Sequence, residues 1–555
     1  MPDLALGPLL RHVGPSDATV WVETDAPCEV EVRAGDTTTR SLTFRVGDHN
    51  YALVHATGLA PGADHEYEVR LDGEKRWPEP GSPFPPSVIR VPGDGENVKL
   101  VFGSCRISAP HEPPYTLSYT EDARGLGVAA LYAMAMRLRN RPSEELPHAL
   151  VLLGDQVYAQ KPPHDTLDFI RSRRDTSRPP GEEVADFEEY ARLYTNSWGD
   201  PAIRWLLSTV PSAMIFDDHE VSDDWNISES WLEETRAKPW WNDQIIGGNA
   251  SYWVYQHLGN LTPQELEEDE LFEKVRRAED AWPLLREFAY RAHRTSEGMR
   301  WSFCRDFGDV RLIVMDSRGG RVLDEEHRSM IDAGEWAWIE DKATGGFDHL
   351  LLGTSLPVLL GPGMHHLETW NEAVCAGAWG EQAKGLGERV RRSQDLDQWA
   401  SFRDSFAALT SLIQGVAGGK KGDAPSSITI LSGDVHHGYL AEASFDGAES
   451  RVHQAVCSPL RNALPGKKSR LQRVAWAKPA ALAGRLLSRL AGVGAPEVTW
   501  RLTHDHPWLE NQVATLELDG RSAKITFEEA ITDGSGEPGL RKMYDRRLAP
   551  ASPTA

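Results

Sequence analysis

Five short apolar runs of strand length each end in side chains that can hold a metal ion, and this pattern constrains the chain more than any other. Val98–Phe102 leads into Gly103-Ser104-Cys105-Arg106, and Ala149–Leu153 leads into Gly154-Asp155-Gln156-Val157-Tyr158. Ala213–Phe216 ends in Asp217-Asp218-His219-Glu220, Leu312–Met315 in Asp316-Ser317-Arg318, and Ile428–Leu431 in Ser432-Gly433-Asp434-Val435-His436-His437. Continuous apolar runs suit strands buried on both faces, with helices covering the sheet. Residues 126–138 and 182–207 read as helices between them. Ligands of open α/β sheets gather outside the carboxyl ends of the strands, so the pattern predicts that these polar ends converge.

Taken singly, each motif has a plainer reading. Gly154-Asp155 after a strand is often only a turn, and a strand-end thiol such as Cys105 is often a small buried hydrophobe. The Asp217–Glu220 cluster reads as an exposed acidic turn, or as a buried group whose mutual repulsion only cations remove. Asp434 and His436, two residues apart, leave a strand end on the same side. A serine-nucleophile alternative has no support, because Gly-x-Ser-x-Gly is absent around Gly103-Ser104.

In their order and spacing, the strand-end Ser-Cys, Gly-Asp-x-x-Tyr, Asp-Asp-His-Glu and Ser-Gly-Asp-Val-His motifs resemble the calcineurin-like metallophosphoesterases. They are most similar to the PhoD-type alkaline phosphatases, over about Val98 to Glu529. The resemblance implies an α/β fold, a metallophosphoesterase-type layered sheet sandwich flanked by helices and preceded by a small all-β sandwich domain. It implies one metal held by Cys105, Asp155, Tyr158 and His436, and a second held by Asp155 as a bridge with Asp218 and Asp434. Thiolate, phenolate and imidazole suit a transition metal, Fe3+ above all. The carboxylate set suits Ca2+, with Mn2+ or Mg2+ as substitutes.

The same resemblance places His219 beside the leaving-group oxygen as a proton donor rather than a ligand. The plainer reading is a histidine satisfied by neighbouring carboxylates. Glu220 is expected to fix the His219 tautomer. Arg106 is expected to bind substrate phosphate, and Arg318 either does the same or neutralises Asp316 or Asp218. The implied activity is metal-dependent hydrolysis of phosphomonoesters, phosphodiesters or both, by in-line attack of a metal-bound hydroxide. The alternatives are a catalytically silent, metal-stabilised binding or scaffold protein of the same fold, and a metal-dependent hydrolase of a non-phosphate ester.

Residues 1–76 read as a fibronectin III- or immunoglobulin-like β-sandwich, with period-two alternation in 18–24, 29–33 and 66–71. Residues 77–97 form a linker, since Trp77–Gly95 carries six prolines. The catalytic domain spans 98–531, and 532–555, rich in Gly, Pro and charge, reads as an irregular tail from which Tyr544 could fold back over the cleft. The segment Val221–Asn226 has Asp223 and Asp224 where many members of the family show a pair of asparagines. They either cap a loop or add cation affinity, and the loop is the preferred reading. Trp225, Trp231, Trp240, Trp241 and Trp253 either pin a long loop or roof the cleft.

A net charge of −24 disfavours a nucleic-acid surface but not a small phosphorylated substrate, since bound cations can reverse a local field. Residues 461–496 contain no Asp or Glu, yet they hold seven Lys or Arg between Lys467 and Arg489. They read as a basic helical insertion packed on the acidic body, with peripheral contact to anionic lipid as the other reading. The five cysteines, odd in number and without repeated spacing, do not make a disulfide framework. No export signal is evident, so the sequence as written reads as cytoplasmic, or as extracytoplasmic if a leader has been removed.

Overall fold

Strand-forming sequence at the N-terminus builds two facing sheets. One runs in the order Leu4–Val13, Asp17–Thr24, His49–Thr57, Phe44–Val46; the other runs Thr37–Leu42, Glu29–Ala34, Asp64–Leu71, Glu74–Trp77. Val20, Val22, Val54, Val30, Val32 and Val69 fill the space between them. The structure is a computed structural model and describes residues 1–93, 95–295, 299–463, 476 and 478–550.

The strand Asp17–Thr24 is buried on both faces and not on one, because its outer face packs on the second domain. Trp21 meets Tyr255 there at 5.3 Å, and Arg11 donates to the carbonyls of Tyr255 and Gln256 at 2.9 and 2.7 Å. The expected linker is shorter than its prolines suggest. Val88–Arg90 pairs with Asp64–Glu66, and Ile89 and Val91 join the sandwich core, so the first domain ends near Val91.

The second domain is built on two further sheets. Ser212–Ile215, Ala149–Leu153 and Val98–Gly103 run parallel, and Gln512–Asp519, Ser522–Thr532 and Pro538–Ala549 extend that sheet antiparallel. In the second sheet Val310–Met315, His349–Thr354, Ser427–Ser432 and Arg451–Val456 run parallel, with Phe303–Phe307, Tyr439–Ser444 and Thr499–Leu502 antiparallel at its sides. Alternation assigns the faces. Leu351 and Leu431 join Leu153 and Val151 in the core between the sheets. Leu350, Leu352, Ile428 and Ile430 pack with Leu409, Ile413 and Val416 of the outer helix Arg403–Ala417. The helices Phe187–Trp198 and Pro201–Thr209 replace the single expected helix. Gly199 ends the first, and Asp200 caps the second by accepting from Ala202 and Ile203 N–H.

Over residues 532–549 the C-terminal segment is not irregular, and 551–555 lie outside the described residues. Its Gly and Pro are concentrated in the turn at 533–538, after which Pro538–Ala549 forms an edge strand. Charged residues on that strand pair across it, as in Arg541 Nη2–Glu529 at 2.7 Å. Tyr544 packs on Trp508 at 5.2 Å. The basic insertion is described from Lys478, where a helix Lys478–Leu490 lies on the helix Pro362–Cys375; residues 464–475 and 477 lie outside the described residues. Trp225, Trp241 and Trp253 are buried in the core and pin their segments to the domain, so they do not roof a cleft. Among the described residues no helix is long and apolar enough to cross a membrane.

Candidate metal centre

The strand ends of both sheets meet because their glycines leave room. A Cβ on Gly154 would lie 2.7 Å from Asp217 Cβ, and one on Gly433 would lie 2.0 Å from Ser104 Oγ. Backbone bonds then tie the loops together: Cys105 N–H to Gly154 O at 3.2 Å, Arg106 N–H to Asp155 O at 2.9 Å, and Gly433 N–H to Ser355 O at 2.9 Å. Cys105, Asp155, Asp434 and His436 all adopt left-handed backbone, with φ of 58°, 54°, 60° and 51°. Such conformations are uncommon for residues other than glycine, and they gather where a surrounding structure holds side chains for function.

Ligand atoms of Cys105, Asp155 and His436 lie within 4.8 Å of one another, as do those of Asp155, Asp218 and His219, and those of Asp217, Asp218 and Asp434. Asp155 and Asp218 are shared, so the three groups form one continuous cluster. Tyr158 Oη donates to Asp155 Oδ2 at 3.1 Å. Cys105, Asp155, Tyr158 and Asp218 are buried, whereas His219, Asp434 and His436 are half-buried and give the cluster its open side.

The cluster resists holding negative charge by itself. Burial, then Asp155 and Asp434, push the Cys105 thiol well above its ordinary value; burial, then Asp155 and Cys105, do the same to the Tyr158 phenol. Burial and the neighbouring carboxylates, Asp217 foremost, also raise Asp155 and Asp434. His436 is driven by burial down to about 3, so its imidazole is neutral and offers a lone pair of the kind that binds a metal. Asp155 Oδ1 and Asp217 Oδ2 are buried with no hydrogen-bond partner. Orphaned carboxylate oxygens beside a thiol, a phenol and a neutral imidazole are a donor set that fits bound cations.

Four residues support the cluster, three of them, Asp397, Gln398 and Asn462, outside the motifs. Arg318 reaches in from the second sheet and pairs with Asp217 and Asp397, with Asp218 at 3.7 Å and Asp434 at 3.8 Å. It therefore neutralises carboxylates, with Asp217 and Asp397 ahead of the expected Asp218. Gln398 donates to Asp434 Oδ2 at 2.8 Å. Asn462 Nδ2 lies 3.1 Å from Tyr158 Oη and 3.2 Å from His436 Nε2. Asp397, Gln398 and Asn462 lie in loops whose composition carries no metal signature; only proximity in the fold reveals them.

Two expected roles change. Arg106 turns away from the cluster, and its buried guanidinium donates to the Ser197 carbonyl, so it braces a helix end rather than facing a substrate phosphate. Glu220 does not touch His219; it accepts backbone N–H bonds from Asp155, Gln156 and Asp217. His219 lies between Asp223, whose Oδ1 is 3.6 Å from its Nε2, and Gln160. The Gln160 amide fits best with nitrogen donating to His219 Nδ1 at 3.3 Å and oxygen accepting from Ser222 N–H at 3.1 Å, which leaves the proton on Nε2. Asp224 sits in a left-handed loop position, with its N–H bonded to Asp218 Oδ2 at 2.9 Å, so Asp224 shapes the loop, whereas the Asp223 carboxylate faces His219.

Two stacked sheets with metal-competent residues at their strand ends define a metallophosphoesterase-type fold. Residues 128–276 match the model of the PhoD-like phosphatase family, and that stretch contains Asp155, Tyr158, Asp218 and His219. Residues 1–89 match a domain family of unknown function, DUF7800. Among solved structures, one described as the structure of PhoD is similar at 10% identity and TM-score 0.57, covering 99% of this chain and 91% of that one. The purple acid phosphatase PPD1 from yellow lupin (Lupinus luteus) seeds is similar at 10% identity and TM-score 0.50, covering 98% of this chain and 74% of that one. At these identities the two likenesses establish the fold alone. No curated protein sequence matches the chain.

Proposed function

We propose that the chain hydrolyses phosphomonoesters, phosphodiesters or both at this cluster. The observation that carries the reading is the approach of Cys105, Asp155 and His436 ligand atoms to within 4.8 Å, in a chain whose residues 128–276 match the PhoD-like phosphatase family. Cys105, Asp155, Tyr158 and His436 would hold a transition ion, ferric iron by the softness of the donors. Asp155, Asp218 and Asp434 would hold a hard ion, Ca2+ or in its place Mn2+ or Mg2+. Bound there, the cations supply Lewis acidity to phosphoryl oxygens and acidify a water to a nucleophile near neutral pH.

The chain's own residues do the rest. His219, with its proton on Nε2 and its ring on the open side, gives that proton to the departing ester oxygen. Glu220 fixes the Asp155 loop, and Gln398 and Asn462 hold Asp434 and His436 in place. The test is metal analysis together with hydrolysis of p-nitrophenyl phosphate and bis-p-nitrophenyl phosphate by the native chain and by Asp155→Asn. The reading expects bound metal and turnover in the native chain, and a folded but inactive variant. Stoichiometric metal with no phosphate-ester turnover under any metal supplement, or activity confined to non-phosphate esters, overturns it.

A further inference from the structure

The helix Lys478–Leu490 presents one face to the protein and another to solvent. On the inner face Ser488 is buried and its hydroxyl donates to His366 O at 2.7 Å, while Gly484 leaves only 3.0 Å between a Cβ and His366 Cβ. On the outer face Leu482, Leu486 and Leu490 are 69%, 60% and 64% exposed. Spaced four residues apart, they form a single stripe. Trp379, 42% exposed, adjoins the end of the stripe, where its indole N–H donates to Leu490 O at 3.3 Å. Together these are four of the nine large apolar side chains exposed among the described residues, so the exposure is concentrated.

Arg485 and Arg489 are exposed three residues after Leu482 and Leu486, beside the stripe, and neither forms an ion pair among the described residues. The helix has no Asp or Glu, in a chain of net charge −24. A leucine stripe with flanking arginines and a tryptophan at its end is the pattern of a helix that lies in a bilayer interface. We propose that this helix docks the protein on an anionic lipid surface. Charge complementarity selects that occupant: the acidic body is repelled by anionic lipid and this one face is attracted to it, which sets a single docking orientation. A bilayer moulds itself to the leucine stripe. Trp476, two residues before the helix, packs on Tyr439 at 5.4 Å and on His437, the residue after His436, at 5.9 Å.

The test is co-sedimentation of the full chain with vesicles of phosphatidylglycerol and phosphatidylcholine, and with vesicles of phosphatidylcholine alone. The proposal expects binding to the anionic vesicles, weakened at least tenfold on the zwitterionic ones. It expects a similar loss for Leu482→Ser/Leu486→Ser/Leu490→Ser and for Arg485→Glu/Arg489→Glu. Both variants should keep the native unfolding temperature and native turnover of p-nitrophenyl phosphate, because the substituted side chains face solvent. No sedimentation with anionic vesicles, or equal binding by native chain and variants, overturns the proposal. So does a dimer in solution that the leucine variant dissolves, which would assign the stripe to a second copy of the chain.

Discussion

The carboxylate of Glu220 accepts the backbone N–H of Asp155 at 3.0 Å, which locks the third strand end of the cluster to the second. The same carboxylate accepts Gln156 N–H at 2.7 Å and Asp217 N–H at 2.9 Å. Glu220→Ala leaves three buried donors without a partner, a cost of about 3 kcal/mol or more. It should also release the Asp155 loop and weaken metal binding by roughly 10–100-fold. Urea unfolding and metal stoichiometry measure both effects; a variant that is destabilised yet binds metal normally would show that Glu220 serves the fold alone.

His219 acts on the leaving group in this account. His219→Ala should lower kcat by about 10²–10⁴-fold on alkyl phosphate esters, whose leaving oxygen needs a proton. On p-nitrophenyl esters, which leave as a stable phenolate, the loss should be far smaller. Metal content should stay unchanged; if it falls instead, His219 is a ligand, as its proximity to Asp155 and Asp218 allows.

Arg318 is the built-in cation of the acidic side, paired with Asp217 and Asp397. Arg318→Met should destabilise the fold by about 3–5 kcal/mol, because it leaves buried carboxylates without a counter-charge. Excess Ca2+ or Mn2+ should recover part of that loss, since the same carboxylates then bind cations. Urea unfolding with and without the cations provides the comparison.

His49 couples the two domains. Its Nδ1 lies 2.7 Å from Glu23 in its own sheet, and its Nε2 lies 3.0 Å from Glu188 on the helix Phe187–Trp198. Burial opposes its charge, but the hydrogen bonds to Glu188 and Glu23 outweigh that and push its pKa from 6.5 up to about 10. A pKa raised on folding gives stability that is complete below the unfolded value and is lost as pH rises through the folded one. The native chain should therefore exceed His49→Gln by about 1.5–3 kcal/mol near pH 6, with the difference shrinking as pH rises towards 10. Urea unfolding across that range measures it, and a difference that grows with pH would refute the assignment.

Much of the second domain is legible in the sequence because a buried parallel strand writes its own boundaries. Val98–Phe102, Ala149–Leu153 and Ile428–Leu431 were read within a residue or two of the observed strands, since apolar runs stop where glycine and charge begin. The convergence of Cys105, Asp155, Asp218 and His436 followed from those strand ends. What stayed hidden depended on tertiary packing. Val88–Arg90 and Pro538–Ala549 are edge strands whose neighbouring prolines and glycines mark turns rather than disorder. The roles of Arg106 and Glu220 are not legible from the motifs, because a charged residue beside a motif can serve backbone as readily as chemistry. Arg106 ends on a carbonyl, and Glu220 on three N–H groups.

The most direct test of the central claim is anomalous scattering from crystals of the native chain soaked with phosphate, recorded at the iron edge and at a longer wavelength for calcium or manganese. The account predicts one metal bound by Cys105, Asp155, Tyr158 and His436, a second bound by Asp155, Asp218 and Asp434, and phosphate between them on the side of His219. Metal-free density at these side chains in a protein that hydrolyses phosphate esters, or metals bound on another surface, would contradict it.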